Sequence, residues 1–116
     1  MQRLTESKTK DLKIGEKGTG KDVNPYLLVE TLNRLQSSEC VIIPDIGWHV
    51  TTLNQQGKIK LGQQLFSSWA NSPMGYAVAA GIGAYYSNKD KEIVIHIGDG
   101  GIQVNLQDLQ TLTNYH

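Results

Sequence analysis

Gly98-Asp99-Gly100-Gly101 is the string in this 116-residue sequence best suited to chemistry. It follows the apolar run Ile93-Val94-Ile95-His96-Ile97 and precedes a stretch with leucines at helical spacing. Glycines at the end of a buried strand let the backbone turn sharply and bring N–H groups to a bound anion, which the amino end of a helix also favours. Asp99 adds a hard carboxylate oxygen, suited to a divalent ion such as Mg²⁺ that bridges phosphate oxygens. Taken alone, such a string is most often an ordinary Asp-Gly turn, so its setting carries the argument. Two other strings imitate phosphate loops. Gly15 to Lys21 fits GxxxxGK, but Asp22 stands where Ser or Thr would hold magnesium, and a carboxylate there repels phosphate. Gly81-Ile82-Gly83 opens a GxGxxG pattern, yet Tyr86 occupies its last position and no strand leads directly into it.

The elements that must position the Asp99 turn are legible as a strand–helix alternation. Asn24-Pro25 is a helix start, with Asn as cap and Pro where a missing N–H costs nothing. Tyr26, Leu27, Val29, Leu32 and Leu35 then recur at helical spacing. Cys40-Val41-Ile42-Ile43 is a continuous apolar run, fit for a strand buried on both faces of a parallel sheet. Pro44-Asp45-Ile46-Gly47-Trp48-His49 is expected to be the loop at its carboxyl end. The polar stretch 50–70 carries no assignable pattern. Asn71-Ser72-Pro73 gives a second helix start, and the Gly- and Ala-rich segment from Met74 to Tyr86 predicts a thin helix that can lie close to a sheet. Glu92 to Ile97 is a second strand, and Leu106, Leu109 and Leu112 predict a third helix. The fold class is therefore α/β, a parallel sheet with crossover helices.

Composition narrows the function classes. Eleven basic residues balance eleven acidic ones, which argues against a broad nucleic-acid-binding surface. No run of 18 apolar residues exists for a membrane span. The amino end is charged where a secretory signal needs an apolar stretch, and the single cysteine, Cys40, fits a reducing, cytoplasmic setting. Cys40 reads as a small strand residue rather than a nucleophile, because apolar neighbours raise its pKa. Residues 1–22 are rich in charge and glycine and read as a linker or extended strap from a preceding domain.

Three blocks, in order, carry a resemblance to a known family: Asp45 to His49 (DIGWH), Ser72 to Ala84 (SPMGYAVAAGIGA) and Ile95 to Leu112 (IHIGDGGIQVNLQDLQTL). Residues 45–116 resemble the first part of the diphosphate-binding domain of thiamine-diphosphate enzymes, in the acetolactate synthase and 2-keto-acid decarboxylase group. The resemblance implies thiamine diphosphate and Mg²⁺ as cofactors. It makes Asp99 the metal ligand, Gly98 part of the cofactor turn, and Gly100, Gly101 and Ile102 the source of N–H groups for the diphosphate. Gly47, Trp48 and His49 would lie against the diphosphate from the other side. Met74 would be the apolar wedge that bends the cofactor, making a proton transfer between its rings intramolecular. Ser72, where many relatives have Gly, would offer a backbone carbonyl to the aminopyrimidine; its local φ and ψ are the open point. Met74 and Ser72 are thus the residues nearest catalysis. Asn105 is a weaker site candidate, Gln107 and Asp108 are helix-surface residues, and Asp45 is expected to cap or orient its loop.

The same resemblance frames expectations for the whole. Residues 23–116 would be the N-terminal part of an incomplete thiamine-diphosphate-binding fold, cut before the family's Asn-Asn pair that completes the metal site. The pyrimidine-binding domain, with the glutamate that protonates the cofactor ring, would come from elsewhere in the same protein or from a second subunit. The parent would be an oligomer, a homodimer or tetramer, that decarboxylates a 2-keto acid, the product then being either protonated or ligated to a second carbonyl compound. The chain alone is expected to be inactive. The alternatives are a non-catalytic module of this fold kept for assembly or regulation, and an unrelated nucleotide-binding α/β domain.

Overall fold

A computed structural model describes residues 22–114. The strap expected over residues 1–22 and the GxxxxGK string therefore lie outside the described residues, Asp22 excepted. The order is α1 (Pro25–Leu35), β1 (Cys40–Pro44), α2 (Trp48–Gln56), β2 (Gln64–Leu65), α3 (Tyr76–Ser87), β3 (Glu92–His96) and α4 (Asp99–Val104). A 3₁₀ turn at Leu106–Asp108 and α5 (Leu109–Asn114) follow. The three strands are all parallel in the order β2-β1-β3, with Val41 opposite Gln64 and Ile93, and Ile43 opposite Ile95.

The sheet is a sandwich filling because β1 is apolar at every position. Successive side chains of a strand point to opposite faces. Cys40 and Ile42 pack with Val29 and Leu53 under α1 and α2, while Val41 and Ile43 pack with Ala77 under α3. The whole of β1 is buried. On the α3 side close approach depends on small residues, as the sequence predicts: a Cβ on Gly81 would collide with the Ile95 side chain. Helix α1 starts as expected, with the Asn24 side chain accepting from the Tyr26 N–H at 2.9 Å. Burial pushes the Cys40 thiol pKa up, and Glu92 adds to the effect, consistent with a packing role.

Four local expectations are corrected. The loop after β1 is short, because Trp48 and His49 already belong to α2. The segment 50–70 holds the rest of that helix and the short strand β2, not an unpatterned stretch. Helix α3 begins at Tyr76 rather than at the Asn71-Ser72-Pro73 signal; its cap is Gly75, in the left-handed region at φ +85°. The third helix is divided, because Asn105 at φ −123°, ψ 30° interrupts it before the 3₁₀ turn.

Strand order reverses between β1 and β3, since the chain leaves β1 for β2 on one side and returns to β3 on the other. In open parallel sheets the crevice outside the carboxyl ends at such a point is the place where ligands bind. The segments beginning at Asp45 and at Gly98 leave the sheet there.

Candidate functional site

Helix α4 starts at the rim of β3, with Gly98 as its cap and Asp99 exposed at its first position. The Ile102 N–H, expected to serve the diphosphate with those of Gly100 and Gly101, instead donates to the Gly98 carbonyl at 3.1 Å, because it already closes the first turn of the helix. An α-helix finds no intrahelical partner for its first N–H groups, which here are those of Asp99, Gly100 and Gly101.

Two predicted residues meet this turn. His49, in the first turn of α2, lies against it: its Cε1 is 3.9 Å from where a Gly98 Cβ would stand, and 2.9 Å from a Cβ on Gly47. Gly47 itself has φ +135°, so a side chain there would be both strained and in collision with the imidazole. His49 Nε2 is buried without a hydrogen-bond partner. Met74 reaches the same turn two residues further on, its Cε 3.0 Å from a Cβ on Gly100. Trp48 is brought to the same rim but is 76% exposed and turned to solvent.

Ser72 has φ +43°, the one positive-φ non-glycine among the described residues. Its N–H donates to Ser68 O at 2.8 Å and its hydroxyl to Trp69 O at 3.0 Å. It lines a cavity of about 220 Å³ together with Asp45, Asn54, Ser67, Trp69 and Tyr76. Ser72 and Met74 thus lie on one short turn between that cavity and the glycine turn.

Two residues do more than the sequence suggests. Asp45 reaches well beyond its own loop: it is 1% exposed, and its Oδ2 accepts from the Gly75 N–H at 2.8 Å. Its Oδ1 is buried without a partner. A Cβ on Gly101 would run into the same carboxylate. Asn105 Nδ2 donates to the Gly75 carbonyl at 2.9 Å. The signal for Asp45 was available in principle, since a carboxylate directly after a fully buried strand needs a donor close by. His96, at the end of β3, was not singled out; it is buried, and its Nε2 is 3.2 Å from Gln36 Nε2.

Exposed apolar side chains accompany the site: Trp48, Trp69, Met74 and Ile46 are all at least 39% exposed. Among the described residues no three His, Cys, Asp or Glu side chains converge on a point that would hold a metal, and no helix is long and apolar enough to cross a membrane.

Comparison with known proteins gives concordant results. The family described as "Thiamine pyrophosphate enzyme, C-terminal TPP binding domain" matches residues 45–116. The acetolactate synthase large subunit of Lactococcus lactis is 29% identical over 94 residues, covering 81% of this chain and 16% of that protein. Acetolactate synthase 1, chloroplastic, of Nicotiana tabacum is 30% identical over 111 residues, covering 96% of this chain and 16% of that protein. The acetolactate synthase isozyme 3 large subunit of Escherichia coli is 27% identical over 93 residues, or 80% of this chain and 16% of that protein. The chain spans about a sixth of the length of these curated relatives.

Proposed function

The chain belongs to the thiamine pyrophosphate enzymes, as a C-terminal TPP-binding domain, and we propose that it forms one wall of the cofactor cleft of an enzyme acting on 2-keto acids. The cofactor of the family is thiamine diphosphate; Mg²⁺ is the metal we assign to Asp99. The observation that carries this reading is the approach to the Asp99 turn of His49, with its orphaned buried Nε2, and of Met74. An unpartnered buried imidazole nitrogen beside unsatisfied helix amides fits a site made for a polar anion.

In this reading Asp99 would give the metal one carboxylate oxygen, and the N–H groups of Asp99, Gly100 and Gly101, together with His49 Nε2, would hold the diphosphate. Met74 would support the rings, and the backbone carbonyl of Ser72 would accept from the aminopyrimidine amino group and orient it. When bound, thiamine diphosphate supplies the electron sink that lets CO₂ leave a 2-keto acid and lets the product add to a second carbonyl compound. The residues of this chain bind, orient and hold charge. The exposed Trp48, Trp69 and Met74 fit a surface that is covered by another domain; we assign that cover to the pyrimidine-binding domain, from the same protein or a second copy in a dimer or tetramer. A cytoplasmic location is part of the proposal, as is the inactivity of the chain by itself.

Calorimetry on the intact protein tests this reading, with thiamine diphosphate and ATP compared in the presence of Mg²⁺. Saturable binding of thiamine diphosphate with none of ATP is expected, together with CO₂ release from pyruvate or another 2-keto acid. Preference for ATP overturns the assignment in favour of a nucleotide-binding domain. Thiamine diphosphate binding with no turnover of any 2-keto acid overturns its catalytic half in favour of an assembly or regulatory module.

A further inference from the structure

We infer that Asp45 and Asn105 are positioning residues that grip Gly75 from both sides and thereby set where Met74 stands relative to the Asp99 turn. The inference rests on the functional reading above and adds to it two side chains that need not touch the cofactor. The Gly75 N–H belongs to the peptide unit joining it to Met74, and Asp45 Oδ2 takes that N–H at 2.8 Å in buried surroundings. The Gly75 carbonyl belongs to the next peptide unit, and Asn105 Nδ2 donates to it at 2.9 Å. Both peptide planes flanking Gly75 are therefore fixed by side chains 30 residues away in sequence, one from the rim of β1 and one from the break after α4.

The geometry leaves little slack. Gly75 has φ +85°, where L side chains are rarely found, and a Cβ there would stand 3.2 Å from Asn105 Cγ and from the Gly101 carbonyl. The Asp45 carboxylate abuts Gly101 on its other flank, so one side chain spaces the Met74 segment from the glycine turn. This spacing is held at a cost, because Asp45 Oδ1 is buried without a partner and unpaired buried oxygens are destabilising. Such costs persist where surrounding structure over-determines a geometry, and they cluster at ligand sites. Asn105 also lies where the last helix is interrupted, which frees its side chain to turn back toward Gly75.

The test is a comparison of two ligands on the intact protein. Calorimetry with Mg²⁺ measures the affinity for thiamine diphosphate and, separately, for inorganic pyrophosphate. Asn105→Ala is expected to weaken thiamine diphosphate about five- to tenfold, the size of one hydrogen bond, and to leave pyrophosphate affinity within about twofold. Asn105→Asp, which cannot donate to the Gly75 carbonyl when ionised, is expected to match it. Asp45→Ala removes the acceptor of the Gly75 N–H and is expected to weaken thiamine diphosphate about five- to tenfold, with pyrophosphate held to within about twofold. A merely structural role predicts equal losses for both ligands, and that result overturns the inference, as does an unchanged thiamine diphosphate affinity in Asn105→Ala. Should Asn105→Ala not fold, Asn105→Ser gives the same comparison. Failure of the wild-type protein to bind thiamine diphosphate would instead overturn the reading beneath the inference.

Discussion

Met74 Cε stands 3.0 Å from the place that a Cβ on Gly100 would occupy, whereas the next glycine, Gly101, faces the buried Asp45 carboxylate. Adjacent glycines of one turn thus look at different parts of the molecule: Gly100 at the exposed end of a flexible side chain, Gly101 at the interior. The consequence is a separation of stability from binding. Gly101→Ala forces a methyl into Asp45 and Ile97 and is expected to destabilise by about 3 kcal/mol, the upper part of the range for overpacking. Gly100→Ala displaces only the Met74 tip, so the unfolding free energy stays within about 0.5 kcal/mol of wild type. Its thiamine diphosphate affinity falls about tenfold or more, since the methyl and Met74 crowd the amides of the turn. Denaturant melts and calorimetry on the two variants check this; similar effects of both on stability would refute it.

Asp99 is exposed at the first position of α4, where its charge favours the helix amino end. Asp99→Asn removes that charge and keeps the shape. Stability of the cofactor-free protein is expected to fall by no more than ~1 kcal/mol. Thiamine diphosphate affinity in Mg²⁺ falls much further, by about tenfold to a hundredfold, as for a disturbed metal site. The residual binding should no longer respond to Mg²⁺ concentration. A variant that binds as tightly as wild type, and as Mg²⁺-dependently, would remove Asp99 from the metal site.

How much of this was legible in the sequence follows from where each signal resides. Helix α1 and strands β1 and β3 announce themselves through periodicity and continuous apolar runs, which are local properties. Helix α2 was missed because it buries Thr52 among its few interior positions. That hydroxyl is satisfied by the Trp48 and His49 carbonyls at 2.8 and 3.2 Å, so a polar residue sits where the pattern demands an apolar one. The Asn71-Ser72-Pro73 signal misleads because the chain first makes the turn that presents Ser72 and Met74, and only then caps a helix with Gly75. The glycine turn and its neighbours were legible as a motif resemblance; the grip of Asp45 and Asn105 on Gly75 was not, because it joins residues far apart in sequence and exists only once the strands are parallel neighbours.

Ser72 is held at φ +43°, where a residue with a Cβ pays of order 1–2 kcal/mol. Ser72→Gly relieves that strain but loosens the unfolded chain by a similar amount, so stability is expected to stay within about 1 kcal/mol of wild type. Ser72→Val places a β-branched side chain in the left-handed region and should destabilise by about 2 kcal/mol. Because the assigned role uses only the backbone carbonyl, Ser72→Gly retains thiamine diphosphate affinity. Denaturant unfolding of the three proteins and calorimetry on the glycine variant decide it, and a large loss of affinity in Ser72→Gly would shift the role to the hydroxyl.

Below about pH 6.5, His96 should make the fold sensitive to acid. Its Nε2 is 3.2 Å from Gln36 Nε2, an amide nitrogen that can only donate, so the ring nitrogen accepts and the imidazole is neutral. Burial pushes the His96 pKa below its usual 6.5, and the neighbouring His49 pushes it the same way. The unfolded chain, at the ordinary value, therefore binds a proton before the native protein does. Stability from this residue is complete above pH 6.5 and is lost as the pH falls through the lower native value. Protonation would also break the acceptor role toward Gln36. His96→Leu eliminates the titration while losing the Gln36 contact, so its stability should be lower at neutral pH but flatter between about pH 7 and pH 5. Unfolding midpoints of the two proteins across that window, at fixed ionic strength, measure the difference in slope. Parallel curves would show that the acid sensitivity of the fold has another source.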